Sequence, residues 1–209
     1  MNQPLPPALE QFLEHCQVRT FPTGSRLISA GDYSDRLYYL IKGSVSVVIE
    51  DDRGHDMVLA YLNEGEFFGE IGMFDERNER SAWVLARSDV EVAEVRYDTL
   101  RDLVRDNPEL IFRLMFQLAH RLRNTSRKAG DLAFTDTSGR VARSLIELAG
   151  QPEAIAHPDG TRVRITRQEL GRIAGCSREM VSRVLRTLEE RELITIVGRE
   201  ILVLDRPLS

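Results

Sequence analysis

The fold of this chain is decided by residues 108–134, which read PELIFRLMFQLAHRLRNTSRKAGDLAF. Mostly apolar residues recur there in alternating steps of four and three, the heptad spacing of a helix that packs along a second helix. The residues of this seam are Ile111, Met115, Leu118, Leu122, Thr125, Ala129 and Leu132. Asn107 followed by Pro108 suits a helix start, because proline favours the first helical position. We therefore expect one long helix that pairs with a partner helix.

Two further features of this helix bear on function. Leu110 and Leu114 form a second apolar row near its start, so one face would pack on its own domain and another on the partner. The seam becomes polar at Thr125, and Ser126 follows. A buried hydroxyl is costly unless it is hydrogen-bonded. In one interpretation these residues fix the register of the helix pair, or Ser126 is solvated. In the other a ligand binds against their hydroxyls. Periodicity alone leaves both interpretations open.

Composition places the chain among ordinary globular proteins. It has 209 residues, enough for two modest domains, with 42% apolar and 29% charged residues. No apolar run approaches the roughly 18 residues that a membrane-spanning helix needs, and residues 1–8 do not resemble a signal peptide, so we expect a cytoplasmic protein. Cys16 and Cys176 are too few and too far apart for a disulfide framework or an iron–sulfur cluster, which indicates free thiols.

Charge is distributed unevenly along the chain. Residues 1–136 carry 16 Lys and Arg against 23 Asp and Glu, whereas residues 137–209 carry 12 against 10. Within residues 160–191 there are 8 arginines against 4 glutamates. A basic segment in an acidic protein indicates local contact with a polyanion, although a solvated helical face is the commoner reading of an arginine count alone.

The region between residues 19 and 97 has the pattern of a β domain. Glycines at 31, 43, 54 and 65 separate β-rich runs at 37–41, 45–49 and 57–62, and further runs follow at 82–86 and 90–95. Turn signals at such even spacing are typical of an antiparallel barrel or sandwich. Before it, residues 8–18 predict a short amphipathic helix with Leu9, Phe12 and Leu13 on one side.

An interruption of the strands at residues 67–81 contains the first candidate site. The segment Gly69-Glu70-Ile71-Gly72 reads as a short helical turn, in which glycine lets backbone N–H groups approach a ligand. Arg80 offers a planar fork suited to a phosphate, and Ser81 adds a hydroxyl. Together they would grip a phosphodiester while Glu70 accepts from a ribose hydroxyl. Alternatively the glycines only form a tight turn, and Glu70 and Arg80 form an internal salt bridge.

The basic segment predicts a helix-turn-helix. Thr166, with Glu169 three residues later, forms a capping box at the start of one helix, Gly175 turns the chain, and Ser177 caps the next. The second helix has an apolar stripe and an outer face that includes arginines, which suits entry into a major groove. Arginine pairs with guanine and glutamate accepts from cytosine. Around the helix pair we expect a polar hinge at 136–139, a helix over 141–148 and a surface loop at 150–160. A short strand at 162–165 and a two-stranded wing at 193–204 complete this part of the chain.

Together these motifs resemble the cyclic-AMP receptor protein family (CRP/FNR family) of bacterial transcription regulators. The likeness covers nearly the whole chain and includes GEIG at 69–72, ERSA at 79–82, HPDG at 157–160 and GCSRE at 175–179. It implies an α+β fold: a cyclic-nucleotide-binding, jelly-roll-like β-barrel at 1–106, a dimerisation helix and hinge at 107–136, and a winged helix-turn-helix at 137–209. The implied function is a homodimeric, cyclic-AMP-responsive DNA-binding regulator that contacts RNA polymerase, and not an enzyme.

The resemblance also implies roles for individual residues. Glu70 would hold the ribose 2′-OH, and Arg80 and Ser81 would hold the cyclic phosphate. Thr125, and Ser126 from the partner subunit, would reach the adenine. The implied effector-binding set is Gly69, Glu70, Ile71, Arg80, Ser81, Thr125 and Ser126. The candidate DNA-binding set is Arg167, Gln168, Ser177, Arg178, Glu179, Ser182, Arg183 and Arg186. In the family, the residues matching Arg178, Glu179 and Arg183 read bases, and the one matching Arg167 contacts phosphate.

Several positions depart from the family pattern, and two other functions compete with this one. Gln17 and Arg19 replace a basic or histidine pair, and Ala156 replaces a threonine in the loop that contacts RNA polymerase. The first competing function keeps the fold but responds to cyclic di-GMP or needs no ligand. The second is a barrel metalloenzyme, which would need clustered ligands, whereas the four histidines are scattered in the sequence.

Overall fold

The computed structural model describes residues 6–205 of the chain. The chain divides into two compact units, with the boundary between Thr125 and Ser126. A single helix, Glu109–Phe134, runs from the first unit into the second. The predicted domain boundaries at residues 106 and 136 therefore stay a prediction, because the compact units meet inside this helix.

The first unit contains eight strands among the described residues. They are β1 (Gln17–Phe21), β2 (Arg26–Ile28), β3 (Arg36–Lys42), β4 (Val45–Glu50), β5 (Asp56–Leu62), β6 (Phe67–Phe68), β7 (Trp83–Ala86) and β8 (Val90–Arg96). They form two antiparallel four-stranded sheets, ordered β1-β8-β3-β6 and β2-β7-β4-β5. Phe68, Leu40 and Val92 are among the buried side chains of the core between the strands. The expected antiparallel β domain is confirmed.

Helices flank these sheets, and one of them was not expected. Helix α1 (Pro7–Glu14) buries Leu9 and Phe12 as predicted, but it ends at Glu14 because the chain pairs with β8 from Gln17 onward. A 3₁₀ turn covers Ile71–Met73. Helix α2 (Tyr97–Asp106), which buries Leu100 and Leu103, follows β8 directly and was missed. Helix α3 (Glu109–Phe134) begins one residue after Pro108, within the usual uncertainty of helix ends.

Helix α3 has two apolar faces, one of which is buried on its own unit. Leu110 and Leu114 are buried against the first unit, as expected, and Ile111 packs on the same core. Met115 and Leu122 remain 57% and 69% exposed, as does Phe112 at 63%. The exposed residues in heptad spacing are Phe112, Met115, Ala119, Leu122, Ser126, Ala129 and Ala133, which we call the exposed stripe of α3. Of the predicted seam, Met115, Leu122, Thr125, Ala129 and Leu132 are exposed, while Ile111 and Leu118 are half-buried in their own unit; the seam with a partner helix stays a prediction.

The second unit combines helices with a small sheet. Its elements after α3 are α4 (Thr137–Ala149), β9 (Ile155–His157), β10 (Gly160–Arg164), α5 (Arg167–Ala174), α6 (Arg178–Glu190), β11 (Ile194–Val197) and β12 (Glu200–Leu204). The sheet has the order β11-β12-β10-β9, so the predicted wing pairs with the strand that precedes α5. Two expectations were wrong. Asp136 caps α4 by accepting from the Gly139 N–H at 2.8 Å, so the supposed hinge is the first turn of a helix, and the supposed loop contains β9.

No helix within residues 6–205 combines the length and the apolar content needed to cross a bilayer.

Candidate functional site

The turn after β6 packs closely against the side chains of Arg80 and Ser34. Gly69 has φ +81°, and a Cβ there would meet Arg80 Nη1 at 2.6 Å. A Cβ on Gly72 would meet Ser34 Oγ at 2.0 Å. Both glycines are therefore required, one for its backbone conformation and both for space. The turn packs against the side chains of Arg80 and Ser34, and the approach of its backbone N–H groups to a ligand stays a prediction.

Arg80 is a buried cation held by neutral groups. It is only 8% exposed. Its Nη1 donates to the backbone oxygen of Gly69 at 2.9 Å and to the Tyr97 hydroxyl at 3.2 Å, and Nη2 donates to the backbone oxygen of Arg36 at 2.9 Å. The guanidinium also lies 5.5 Å from the ring centroid of Tyr38. Within residues 6–205 no carboxylate forms an ion pair with it.

Glu70 does have an ionic partner, but it is not Arg80. The carboxylate is 5% exposed, and Oε1 accepts from Arg121 Nη1 at 3.1 Å. Arg121 also donates to the backbone oxygen of Phe67 and approaches Glu66 at 3.4 Å. The alternative of a Glu70–Arg80 salt bridge is thus wrong. Arg121 was not predicted, although its place one turn before Thr125 on the same helix was a usable signal.

An open cavity lies beside this turn. Its volume is about 550 Å³. The residues that line it are Glu70, Ile71, Phe74, Asp75, Glu76, Arg77 and Leu118. Ile71, Ser81 and Thr125 are exposed to solvent. The first unit therefore brings together Gly69, Glu70, Ile71, Arg80 and Ser81, with α3 contributing Arg121 and Leu118; Ser126 belongs to the second unit, and its part in the site stays a prediction.

The helix-turn-helix is built as its sequence predicts. Thr166 Oγ1 accepts from the Glu169 N–H at 3.1 Å at the start of α5, and Ser177 Oγ accepts from the Met180 N–H at 3.3 Å at the start of α6. Between them Gly175 adopts φ +64° and ψ +49°, the left-handed conformation that ends α5. The apolar stripe of α6 is buried at Val181, Val184, Leu185 and Leu188. This packing fixes which face of α6 is left to solvent.

The solvent face of α6 carries polar and charged groups. Arg178, Glu179, Arg183 and Arg186 are exposed, as are Arg167 and Gln168 at the start of α5. Ser182 is half-buried, and its hydroxyl donates to the backbone oxygen of Arg178 at 3.0 Å. Hydrogen bonds from its own backbone N–H and from Ser177 lower the pKa of Glu179, which therefore stays an anionic acceptor at neutral pH. The second unit thus brings all eight candidate DNA-binding residues onto its helix pair.

Both halves of the chain match known protein families. Residues 18–107 match the cyclic nucleotide-binding domain, and residues 139–208 match the Crp-like helix-turn-helix domain. The chain is 51% identical to the cAMP-activated global transcriptional regulator CRP of Salmonella typhimurium over 94% of each protein. It belongs to the CRP/FNR family. The family consists of transcription regulators and not enzymes, so this chain is a CRP-like regulator with a cyclic nucleotide-binding domain and a DNA-binding domain.

Two other members of the CRP/FNR family are similar to this chain over nearly its whole length. The cAMP-activated regulator Vfr of Pseudomonas aeruginosa is 50% identical over 93% of this chain and 92% of its own. Among solved structures, the c-di-GMP responsive regulator CLP of Xanthomonas campestris superposes with a TM-score of 0.89 at 40% identity, covering 95% of this chain and 99% of that one. The CRP/FNR relatives thus include regulators named for two different cyclic nucleotides.

Proposed function

We propose that this chain is a homodimeric transcription regulator that responds to cyclic AMP and binds a palindromic DNA site. Binding of the nucleotide beside Glu70 and Arg80 would favour one arrangement of the dimer over another. A ligand shifts such an equilibrium only by its difference in affinity for the two arrangements. The favoured arrangement would present both α6 helices to major grooves about one helical turn apart.

The observation that carries this proposal is the burial of Arg80 without a carboxylate partner. Burying an uncompensated charge costs several kcal/mol, so a protein retains it where an anion completes the site. A cyclic phosphate is a singly charged anion whose exocyclic oxygens match the guanidinium fork. Ser81 adds an exposed hydroxyl beside it, and Glu70 adds a carboxylate that accepts hydrogen bonds from a ribose hydroxyl.

Dimerisation is supported by the exposed stripe of α3. Three large apolar side chains, Phe112, Met115 and Leu122, are more than half exposed on one helix, in heptad spacing. An apolar face of this kind is stabilised by packing along a second copy of the same helix. The stripe continues through Ser126, which would then lie at the helix pair together with Thr125 and be able to reach the adenine.

DNA recognition is assigned to α5 and α6. Arg178 and Arg183 would pair with guanine and Glu179 would accept from cytosine, while Arg167 and Gln168 would contact backbone phosphates. Contact with RNA polymerase would use the exposed Ala156 on β9, with Gln17 and Arg19 on β1 as a second surface. Because these three positions depart from the family pattern, the strength of the polymerase contacts has to be measured.

Calorimetric titration with cyclic AMP tests the effector assignment. The wild-type chain should bind, and Arg80→Leu should abolish binding while the dimer stays intact on gel filtration. Arg87→Leu is a matched control, because Arg87 is another arginine of the first unit that stacks on an aromatic ring, 3.8 Å from the ring centroid of Tyr61, but does not line the cavity beside the turn. Equal binding by wild type and Arg80→Leu would refute the phosphate assignment.

A second effector is favoured by one comparison. CLP, at 40% identity, is named as responsive to c-di-GMP. A cyclic dinucleotide also carries phosphodiesters that Arg80 could hold. The same calorimetric titration with cyclic di-GMP separates the two proposals: heat with cyclic di-GMP and none with cyclic AMP would replace the first effector by the second.

A further inference from the structure

The hydroxyl of Tyr97, the first residue of α2, lies directly behind Arg80. It accepts a hydrogen bond from Arg80 Nη1 at 3.2 Å, donates to the backbone oxygen of Gly69, and lies 2.8 Å from Ser34 Oγ. Gly69 and Arg80 belong to the candidate phosphate site, whereas Tyr97 and Ser34 have no role in the proposed function. The Tyr97 hydroxyl therefore links both Gly69 and Arg80 to the start of α2.

The Tyr97 hydroxyl uses its single proton and both of its lone pairs in hydrogen bonds. A phenol has one proton to donate and two lone pairs to accept with. Donation to Gly69 uses the proton, while the Arg80 guanidinium and the Ser34 hydroxyl can occupy the lone pairs. Burial raises the pKa of Tyr97, so the phenol keeps the donated proton at neutral pH. A phenylalanine ring would leave the Arg80 N–H without this acceptor and the Gly69 carbonyl without this donor.

The remaining N–H groups of Arg80 suit an anion. A guanidinium has five N–H donors, and the three hydrogen bonds of Arg80 to described residues use two on Nη1 and one on Nη2. The Nε–H and one Nη2–H are left for an exocyclic pair of phosphate oxygens. Because Tyr97 engages Nη1 together with Gly69, it fixes the rotation of the guanidinium plane and hence the direction of the remaining donors.

The Arg80 side chain packs closely against the turn. A Cβ at Gly69 would meet its Nη1 at 2.6 Å, and a Cβ at Gly72 would meet Tyr97 Oη at 3.3 Å as well as Ser34 Oγ at 2.0 Å. The Arg80, Tyr97 and Ser34 side chains thus occupy the space next to the two glycines. Any side chain at either glycine would displace this hydrogen-bonded cluster.

We propose that Tyr97 is a positioning residue for the phosphate site, holding Arg80 so that its unused N–H groups face the cyclic phosphate. This inference rests on the proposed function, since it presumes that a cyclic nucleotide binds at Arg80. It adds a residue from outside the turn and links the phosphate site to α2, the helix that immediately precedes α3. A purely structural Tyr97 would instead anchor α2 to the barrel without affecting how phosphate is held.

Calorimetry on Tyr97→Phe and Ser34→Ala separates these two roles. Tyr97→Phe removes the buried hydroxyl and with it the acceptor of Arg80 and the donor to Gly69, whereas Ser34→Ala removes only the hydrogen bond between Ser34 and Tyr97. We expect Tyr97→Phe to weaken cyclic AMP binding roughly tenfold, as loss of a hydrogen bond to a charged group would, and Ser34→Ala to bind like wild type. Binding is compared well below the Tm of each variant, so a lower Tm alone does not mimic the effect.

The two phosphorothioate diastereomers of cyclic AMP give a second readout. Each replaces one exocyclic oxygen by sulfur, so a fixed guanidinium should discriminate between them. Tyr97→Phe should bring the ratio of their affinities closer to one, whereas a structural defect would weaken both alike and leave the ratio unchanged. If wild type binds cyclic AMP and Tyr97→Phe matches it in affinity and ratio, this inference is overturned and the proposed function stands. If wild type binds no cyclic nucleotide, the proposed function fails first.

Discussion

Arg121 on α3 donates a hydrogen bond of 3.1 Å to the carboxylate of Glu70 in the turn after β6. With side-chain exposures of 19% and 7%, the two residues form a largely buried pair. Arg121 also donates to the backbone oxygen of Phe67, so a single guanidinium holds both ends of the short segment 67–70. The turn that carries the candidate ligand residues is thereby tied to the long helix within the first unit.

Removing one member of this pair should be costly. Arg121→Met would leave Glu70 buried and without its cation, and we expect the free energy of unfolding to fall by about 3 kcal/mol in urea titrations. Arg121→Met combined with Glu70→Gln removes both charges and should recover part of that loss. If the single variant unfolds at the same urea concentration as wild type, the pair is too well solvated to matter.

Two further ion pairs join the end of α3 to α4 within the second unit. Arg143 contacts the carboxylate of Asp131, and Arg127 lies 3.2 Å from Glu147. Arg143→Glu should destabilise this unit by about 1 kcal/mol, because the partners are only partly buried. The exchange Asp131→Arg with Arg143→Glu should restore most of the lost stability. Calorimetric melting measures both, and an exchange variant no better than the single one would contradict the pairing.

The stability of the first unit should decline at alkaline pH partly through Cys16. Burial raises the pKa of this thiol from 9.0 to about 12, and its Sγ lies 3.2 Å from the backbone oxygen of Phe12. The folded state therefore keeps a proton that the unfolded chain loses, so this contribution is intact below pH 9 and lost as the pH rises toward 12. Cys16→Ala should show a shallower fall of Tm over that range. Parallel pH profiles for the two proteins would contradict the assignment.

Arg178 and Arg167 of the helix pair should contribute differently to DNA binding, the first to specificity and the second to affinity. Arg178→Ala should cost about 1–3 kcal/mol of DNA-binding free energy and relax specificity at one base pair, because the proposed base contact is lost. Arg167→Ala should weaken binding to all sequences alike and reduce the salt slope by about one, because the proposed phosphate contact is lost. Fluorescence anisotropy with a panel of single-base variants of the site measures both. A uniform loss for Arg178→Ala would make it a backbone contact instead.

Local patterns in the sequence were enough to predict the strands of the first unit and the ends of the helix pair. The even glycine spacing predicted the antiparallel strands, and Thr166, Gly175 and Ser177 predicted the ends of α5 and α6, since caps and left-handed turns depend on residues close in sequence. Helix α2 was missed because its ten residues follow β8 without a break, and β9 because three residues are too few for a period.

Contacts between distant segments could not be predicted in the same way. Arg121 and Glu70 are 51 residues apart, and Tyr97 and Ser34 are 63 apart, so no spacing rule connects them. The exposure of α3 side chains is a related case: a helical period identifies an apolar face, but only the fold shows that Ile111 and Leu118 are half-buried by the first unit while Met115 and Leu122 are exposed.

The central claim is that a cyclic nucleotide held by Arg80 sets the DNA affinity of the distant α6 helices. The most direct test is anisotropy titration of a palindromic DNA site with the full chain, with and without cyclic AMP, beside Arg80→Leu. We predict tight, sequence-specific binding only for wild type with cyclic AMP, and weak, non-specific binding in the other three cases. Equal specific affinity of wild type with and without the nucleotide would contradict the account.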